Sequence, residues 1–226
     1  MPKRGRLIVF LGPVGVGKST VIKGLANELR ARGFRVSTTF IKAFHGPSYL
    51  LWILVTRLLG LRTGWLAPWY VIPRSGRLKL TKMLMNFTMY MDALFVIPLK
   101  LLHIYVLKIL DFYVLSEEYL SSTIFDYLYA CINLGIKCKI PIRVVYSLSI
   151  KYTPDKSIII LSNYQELVRR WKLRGYGDPQ PVYVKLLEFF LLKFGHEFYK
   201  NIFIIDTSNL KISEAINKIF YKVLAS

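Results

Sequence analysis

The sequence predicts an α/β fold of three layers, in which a mostly parallel five-stranded sheet lies between helices on both faces. Short apolar runs typical of buried strands alternate with longer stretches of helical periodicity, and the first strand leads through a glycine-rich loop into a helix. The chain has 226 residues, of which 54% are hydrophobic and 15% aromatic. This composition suffices for the core of one such domain and excludes a disordered chain.

The chain opens with a strand, a loop, a helix and a second strand. The apolar run Arg6–Leu11 predicts a buried parallel strand. Helical periodicity covers residues 18–32 and stops at Gly33, and the β-branched run 35–40 predicts the second strand. This order is the beginning of a right-handed βαβ unit.

The remaining elements continue the alternation, although residues 42–111 are harder to assign. We expect helices there at about 47–60 and 77–110, with a loop between them that contains Gly64, Pro68, Pro73 and Gly76. Further strands are expected at 112–115, 157–161 and 202–205, and further helices at 119–134, 141–151, 163–174, 182–199 and 213–224.

The glycine-rich loop carries the clearest chemical signal. It matches G-x-x-x-x-G-K-[ST], the pattern of a phosphate-binding loop (P-loop), with the required strand before it and helix after it. Main-chain N–H groups of such a loop point at phosphate oxygens, its lysine reaches the β- and γ-phosphates, and its hydroxyl ligates Mg²⁺. The sequence therefore predicts that ATP and Mg²⁺ are bound by Gly12, Pro13, Val14, Gly15, Val16, Gly17, Lys18, Ser19 and Thr20.

The formal net charge of +19 indicates either a polyanionic partner or substrate, or a basic surface without a specific partner. No zinc-finger or RNA-recognition motif is present to support a nucleic-acid partner. A small phosphorylated acceptor is favoured, and a nucleic acid or an anionic membrane surface stays possible. The sequence leaves open whether the chain forms a homodimer. Cys131 and Cys138 are too few for a disulfide framework and, together with an N-terminus that lacks a signal-peptide pattern, favour a reduced, cytoplasmic setting.

One apolar stretch, residues 84–115, is long enough to raise the question of a membrane span. We expect it not to span a membrane, and we leave peripheral membrane contact open. The reason is that its apolar character is interrupted by Asp92, Pro98, Lys100, His103, Lys108 and Asp111.

The second half of the chain adds an order of motifs to the P-loop. Pro154-Asp155 precedes the strand at 157–161, and after it come a helix with Arg169, Arg170 and Arg174, a glycine-rich loop with Asp178, a long amphipathic helix and a strand ending in Asp206-Thr207-Ser208. In this order, over about 1–40 and 110–226, the chain resembles the thymidylate kinase-like branch of the nucleoside monophosphate kinases.

The resemblance implies one P-loop kinase-like domain over 1–226. Its core would comprise 1–41 and 112–226, with a helical insertion of about 42–111 on the acceptor side and a helical lid of about 169–181 that closes over ATP. Lid arginines stabilise the transferring phosphoryl group in that family, and the loop after the last strand borders the adenine. These roles are carried over to Arg169, Arg170 and Arg174, and to Asp206, Thr207 and Ser208.

The chemistry of phosphoryl transfer also favours these arginines, because the reaction needs positive donors around its transition state, and Arg170 and Arg174 share a helix face. A solvated basic helix face is the alternative.

Two positions depart from the family pattern. Val14 stands where the family loop usually has an aspartate, and Glu117-Glu118 stands where the family has an Asp-Arg pair. Glu117 keeps an acidic role, either as a magnesium ligand through water or as a catalytic base, unless it is a carboxylate that favours a helix N-terminus. Glu118 reverses the charge that would grip the acceptor's phosphate, which argues against thymidylate itself, while Ser121 and Ser122 are expected at the acceptor site.

We therefore expect an ATP-dependent phosphotransferase that moves the γ-phosphoryl group to a nucleoside monophosphate or a related small acceptor. Two alternatives stay open: a P-loop ATPase or switch protein that acts on nucleic acid or an anionic membrane surface, and a kinase homologue without activity. Trp65 and Trp69 either stack on a base or pack internally, and the lone histidines His45 and His103 are expected to be structural.

Overall fold

The computed structural model describes residues 5–64 and 66–224. Within them, five parallel strands form one sheet in the order β2-β3-β1-β4-β5. The strands are β1 (Arg6–Leu11), β2 (Val36–Phe40), β3 (Tyr113–Glu117), β4 (Lys156–Leu161) and β5 (Ile202–Asp206). The predicted α/β fold, with a parallel five-stranded sheet and helices around it, is confirmed.

Helices connect the strands and cover the sheet. In the described part of the chain they are α1 (Lys18–Ala31), α2 (Pro47–Leu58), α3 (Pro68–Arg74), α4 (Leu78–Met91), α5 (Ile97–Ile109), α6 (Leu120–Leu134), α7 (Lys139–Lys151), α8 (Tyr164–Leu173), α9 (Pro181–Phe198) and α10 (Ile212–Leu224), with a π-helical segment (Asp92–Val96) between α4 and α5.

The sheet has an apolar cluster on each face because alternate side chains of a strand point to opposite sides. Ile8 and Phe10 of β1 pack with buried residues of α1 and α10 on one face. Val9 of the same strand packs on the other face with the apolar side chains of α2 to α7 and α9. The central strands are therefore apolar on both faces, which is why they appear in the sequence as continuous hydrophobic runs.

The helix expected at 77–110 is one continuous helix made of α4, the π-helical segment and α5. Pro98 has no N–H to donate, and the wider π-helical turn directly before it absorbs this interruption. Asp92 is buried in this helix and fixes the start of α2 beside it. Its carboxylate accepts hydrogen bonds from the Phe44 N–H, at 2.7 Å, and from the Ser48 hydroxyl.

Two local features differ from the sequence analysis. The expected loop between the two helices of 47–110 contains a short helix, α3, because Pro68 occupies the first turn, where a helix needs no N–H donor. Cys131 and Cys138 form a disulfide between the end of α6 and the turn before α7, a pairing that the cysteine count did not suggest. The two cysteines are seven residues apart, so the bond closes a short local loop.

Among the described residues, one helix, Leu78–Ile109, is long and apolar enough to cross a membrane by length and composition. Only 28% of its most apolar window is buried inside the protein. That this helix does not cross a membrane stays a prediction.

Candidate functional site

The P-loop leaves the carboxyl end of β1 and curls before α1 begins. Gly12, Gly15 and Gly17 have positive φ angles of 140°, 98° and 101°, which side-chain-bearing residues rarely adopt. A Cβ atom on Gly12 would lie 2.1 Å from the Ile160 carbonyl oxygen, and one on Gly15 would lie 2.8 Å from the Trp171 ring. Both positions therefore require glycine, for space as well as for conformation.

The Lys18 ammonium group lies buried under this loop. Its Nζ donates to the carbonyl oxygens of Gly12, at 2.6 Å, and Pro13, at 2.9 Å. It also forms an ion pair with Glu118 Oε1 at 2.9 Å, and both side chains are only 4% exposed. An ammonium group has three donors, so these contacts engage all of them. Glu118 is the one side chain among these partners.

A serine and a carboxylate meet at the mouth of the loop. The Ser19 hydroxyl donates to Glu117 Oε1 at 2.9 Å, which joins the first turn of α1 to the carboxyl end of β3. Mg²⁺ is commonly held in proteins by one or two carboxylate or hydroxyl oxygens together with substrate phosphates. No group of three or more His, Cys, Asp or Glu residues suited to a metal exists in the described ranges. The Ser19–Glu117 pair therefore fits a magnesium ion that takes its other ligands from phosphate and water.

Glu118 lies at the centre of a small charged cluster. Burial disfavours its ionised form, but the positive charges of Lys18 and Lys42 outweigh burial and hold the pKa of Glu118 below its usual value. Burial also disfavours the charged form of Lys42, yet Glu118 and Asp126 raise the pKa of Lys42 above its usual value. Both Glu118 and Lys42 are thus charged at neutral pH, and the Ser122 hydroxyl completes the carboxylate's contacts.

Asp126 is the far end of this cluster. It accepts a hydrogen bond from the Tyr183 hydroxyl at 2.7 Å, and burial raises the pKa of its carboxyl group. Lys42 therefore feels the charge of two carboxylates: that of Glu118, whose pKa is lowered, and that of Asp126, whose pKa is raised by burial.

A cavity of about 220 Å³ opens beside these groups. Side chains of Lys18, Lys42, His45, Glu117 and Arg174 line it, together with the P-loop backbone. A larger groove of about 440 Å³ lies along α1 and β2; it shares Ser19, Phe40 and Glu117 with this cavity, but neither Lys18 nor the loop glycines line it. The smaller cavity is the candidate site, because Lys18 and the P-loop glycines Gly15 and Gly17 border it.

The three arginines predicted for the lid have different surroundings. Arg174 lines the cavity, whereas Arg169 is exposed and pairs with Glu166 at 2.7 Å. The hydrogen bond from Arg169, followed by that from Arg170, lowers the pKa of Glu166 to about 2.

Arg170 lies behind the P-loop. It donates to the Val16 carbonyl at 3.0 Å and to the Thr207 carbonyl at 2.9 Å. The lid and its catalytic arginines stay predictions, and a phosphate contact by Arg170 requires these bonds to rearrange.

The outer side of the P-loop is fastened by residues distant in sequence. The Trp171 Nε1–H donates to the Val14 carbonyl at 2.8 Å, and its ring covers Gly15. The Thr207 hydroxyl donates to the Val16 carbonyl at 3.1 Å, which ties the loop after β5 to the P-loop.

The neighbours of Thr207 form a local turn, in which Asp206 Oδ1 accepts from the Ser208 N–H at 2.8 Å. The adenine-side role of residues 206–208 stays a prediction.

Other predicted residues lie as follows. Val14 and Thr20 are exposed at the loop, and Pro13 and Val16 are buried in it. Ser121 is fully buried, and Trp69 packs within an aromatic group that includes Phe44 and Trp52. Trp65 lies outside the described residues.

The two histidines expected to be structural differ in position. His45 lines the cavity, and its ring also contacts the Ala43 carbonyl, while His103 is exposed on α5.

Three residues around the site were not predicted from the sequence: Lys42, Asp126 and Trp171. A signal existed for Lys42, which comes two residues after β2, because ligands of parallel sheets bind at the carboxyl ends of the strands. Asp126 and Trp171 lie on helices in the second half of the chain, and no local pattern marks them as neighbours of the loop.

Comparisons with known proteins give a structural likeness only. No family model and no curated protein sequence matches the chain. Among solved structures it is similar to a thymidylate kinase from Candida albicans, with a TM-score of 0.57 and 15% identity over 97% of this chain and 91% of that one. This likeness shows a nucleotide kinase-like P-loop fold.

Proposed function

We propose that the protein is an ATP-dependent phosphotransferase that moves the γ-phosphoryl group of ATP to a nucleoside monophosphate or a related small acceptor. One observation carries the proposal. The curled P-loop, the buried Lys18 and the Ser19–Glu117 pair all border the same cavity at the carboxyl ends of β1 and β3. These are the groups that phosphoryl transfer uses for positioning and for neutralising charge.

Each group has a separate task in this proposal. The N–H groups of the loop and of the first turn of α1 bind the β- and γ-phosphates, helped by the positive end of the helix. Lys18 exchanges Glu118 for phosphate oxygens and keeps its bonds to the loop carbonyls. Ser19 and Glu117 would hold Mg²⁺, which, when bound, neutralises the β and γ oxygens. Arg174, which also lines this cavity, would approach the transferred group.

The acceptor side contains a cation of its own. Glu118 occupies the place where the resemblance expects an arginine, but Lys42 lies beside it, partly buried, and lines the same cavity. We assign to Lys42 the task of binding an anionic group of the acceptor. Lys42→Met should raise the KM for the acceptor by about tenfold and change the KM for ATP little, since one charge-assisted hydrogen bond is lost.

The direct test is transfer of labelled γ-phosphate from ATP to a panel of nucleoside monophosphates, nucleosides and other small phosphorylated acceptors, with Mg²⁺ present. Acceptor-dependent release of ADP with a labelled product supports the proposal. ATP hydrolysis that no small acceptor stimulates, but DNA or RNA does, would refute it in favour of a nucleic-acid-dependent ATPase.

The ion pair between Lys18 and Glu118 favours one competing candidate, a kinase homologue that binds ATP without transferring phosphate. If Glu118 holds Lys18 permanently, ATP binds and no acceptor is phosphorylated. Calorimetry with Mg-ATP beside the transfer assay separates the two, because this candidate predicts heat of binding with no product from any acceptor.

A further inference from the structure

The long helix Leu78–Ile109 is unusual because it is long and apolar enough to span a membrane while only 28% of its most apolar window is buried inside the protein. One side belongs to the core, while the other exposes a row of large apolar side chains at helical spacing. A soluble surface helix normally carries polar residues on that side. The exposed row comprises Met83, Phe87, Phe95, Leu99, Leu102 and Val106, each between 44% and 65% exposed.

Helix α2 widens this surface. It lies antiparallel to α4, because Ser48 bonds to Asp92 and Trp52 Nε1 donates to Thr88 at 3.3 Å. Its outer side exposes Leu50, Leu54 and Leu58. More than half of the exposed large apolar side chains of the described residues lie between 49 and 110. An apolar surface of this extent on a soluble protein marks an interaction site.

The same part of the chain is strongly cationic. Between Lys42 and Leu110 the sequence has nine Lys and Arg residues and a single acidic residue, Asp92, which is buried. Because α2 is antiparallel to α4, its basic end lies toward the start of the long helix. Exposed cations therefore gather near that end, and no described carboxylate forms an ion pair with any of them. These cations are Arg57, Arg62, Arg74, Arg77 and Lys79.

We propose that the face formed by α2 and the long helix docks onto an anionic lipid membrane and lies in its interface. Apolar side chains that enter the boundary between headgroups and acyl chains, combined with cations that contact anionic headgroups, are the two attractions that hold interfacial helices. This face supplies both, and it offers no exposed carboxylate to oppose them between 42 and 110.

The helix lies on the membrane and does not cross it, because its inner side is committed to the protein. Met89, Ala93 and Ile97 are buried in the core, and Asp92 is tied to Phe44 and Ser48. Inserting the helix across a bilayer would break these contacts and carry Asp92 into lipid, which is costly.

A second copy of the chain fits this face less well than lipid. A two-fold interface places the same patch of both subunits face to face. Two such patches would bring their basic ends into one interface, on molecules that each carry a net charge of +19. The repulsion opposes this pairing, whereas an anionic membrane neutralises the same charges.

The test is co-sedimentation of the full chain with vesicles of phosphatidylcholine alone or mixed with phosphatidylglycerol. We expect binding to the anionic vesicles that weakens with added salt, and at least about tenfold weaker binding to neutral vesicles. Equal binding to both kinds of vesicle, or no binding to either, would overturn the proposal.

Two sets of variants locate the face. The first is a triple variant that removes apolar contacts with the membrane, Phe87→Ser/Phe95→Ser/Leu99→Ser. The second is a double variant that reverses two charges and leaves the apolar row unchanged, Arg77→Glu/Lys79→Glu. Each should weaken binding by about tenfold or more. The matched controls lie on α10, which packs on the other face of the sheet, or directly before it. The variants Ile212→Ser/Tyr221→Ser and Lys211→Glu/Lys218→Glu should bind within about twofold of the unchanged protein.

Two results count against the assignment. If the α10 variants lose as much binding as the helix variants, adsorption is non-specific. If light scattering shows a dimer that the triple serine variant dissociates, the face is an interface between copies. Circular dichroism establishes that each variant is folded, and the charge variants test the proposal even if the apolar triple variant is unstable.

Discussion

Glu117 and Glu118 are adjacent in sequence and have opposite surroundings. Glu117 points to the mouth of the P-loop and meets Ser19, whereas Glu118 is buried against Lys18. Glu118 has a positive φ of 61°, a backbone conformation that residues other than glycine adopt at a cost of about 1–2 kcal/mol. The buried ion pair and the bond from its N–H to the Phe10 carbonyl hold it there. The strained residue is thus the one that controls the P-loop lysine.

Lys18→Ala should abolish nucleotide turnover, with a loss of at least about 10²–10³ in kcat, because the variant loses the ammonium group that is bonded to the Gly12 and Pro13 carbonyls under the loop. The measurement is acceptor-dependent release of ADP, with the exposed Lys185→Ala on α9 as the control. Full activity of Lys18→Ala would defeat the prediction.

The single change also leaves Glu118 buried without its partner, which destabilises the protein. The double variant Lys18→Ala/Glu118→Ala removes both charges. If it folds as stably as the unchanged protein and is still inactive, the loss belongs to chemistry and not to folding.

Arg170→Ala should slow phosphoryl transfer more than it weakens ATP binding. Arg170 fixes the carbonyls of Val16 and Thr207, so its removal loosens the loop that must stay aligned in the transition state. Single-turnover rates and the Kd for Mg-ATP measure the two effects, with Lys172→Ala on the same helix as the control. An equal loss in rate and binding, or no loss, would count against a role of Arg170 in the transition state.

Among the elements, the long helix has a buried carboxylate that should respond to pH. Burial raises the pKa of Asp92 from 3.8 to about 6, against the hydrogen bonds from Ser48 and Phe44. The folded state therefore binds this proton more tightly than the unfolded chain does, and the corresponding stability is present below about pH 4 and lost as the pH rises through about 6.

Asp92→Asn should remove this pH dependence, because the amide is neutral throughout and keeps an oxygen for the Phe44 N–H. The difference in free energy of unfolding between unchanged protein and variant should change by up to about 3 kcal/mol between pH 4 and pH 7. Urea denaturation at several pH values measures it, and parallel curves for the two proteins would contradict the assignment.

Some of the helices, strands and loops could be predicted from the sequence and others could not. Strands β1 and β4, the P-loop and α1 could be predicted because buried parallel strands are continuous apolar runs and glycine patterns mark the loop. The π-helical turn before Pro98 and the short α3 could not, since hydrophobic periodicity does not resolve helix type and two prolines argued for a loop. Contacts such as that of Arg170 with Val16 join residues 154 positions apart, and no local pattern predicts them.

At the scale of the whole molecule, charge is the dominant feature. A formal net charge of +19 on one compact chain means that folding concentrates like charges, and this repulsion lowers the stability of the folded state. Five ion pairs link described residues, too few to offset the excess of cations.

Stability should therefore rise with ionic strength. Between about 10 mM and about 150 mM NaCl the screening length falls from about 30 Å to about 8 Å, which removes most repulsion between distant surface charges. The Tm should rise by about 2–4 °C for each kcal/mol of repulsion screened. Calorimetry with glucose of equal osmolality as the control measures the effect, and a falling Tm would show that attractive pairs dominate.

The Trp171 indole sits on the backbone of the P-loop, with Nε1 bonded to the Val14 carbonyl and the ring over Gly15. Any shift of the loop as a triphosphate enters changes what surrounds that ring. Trp171 is thus an intrinsic fluorophore on the loop. Its share of the emission of the four tryptophans would change in wavelength and intensity when a triphosphate binds, without an added dye.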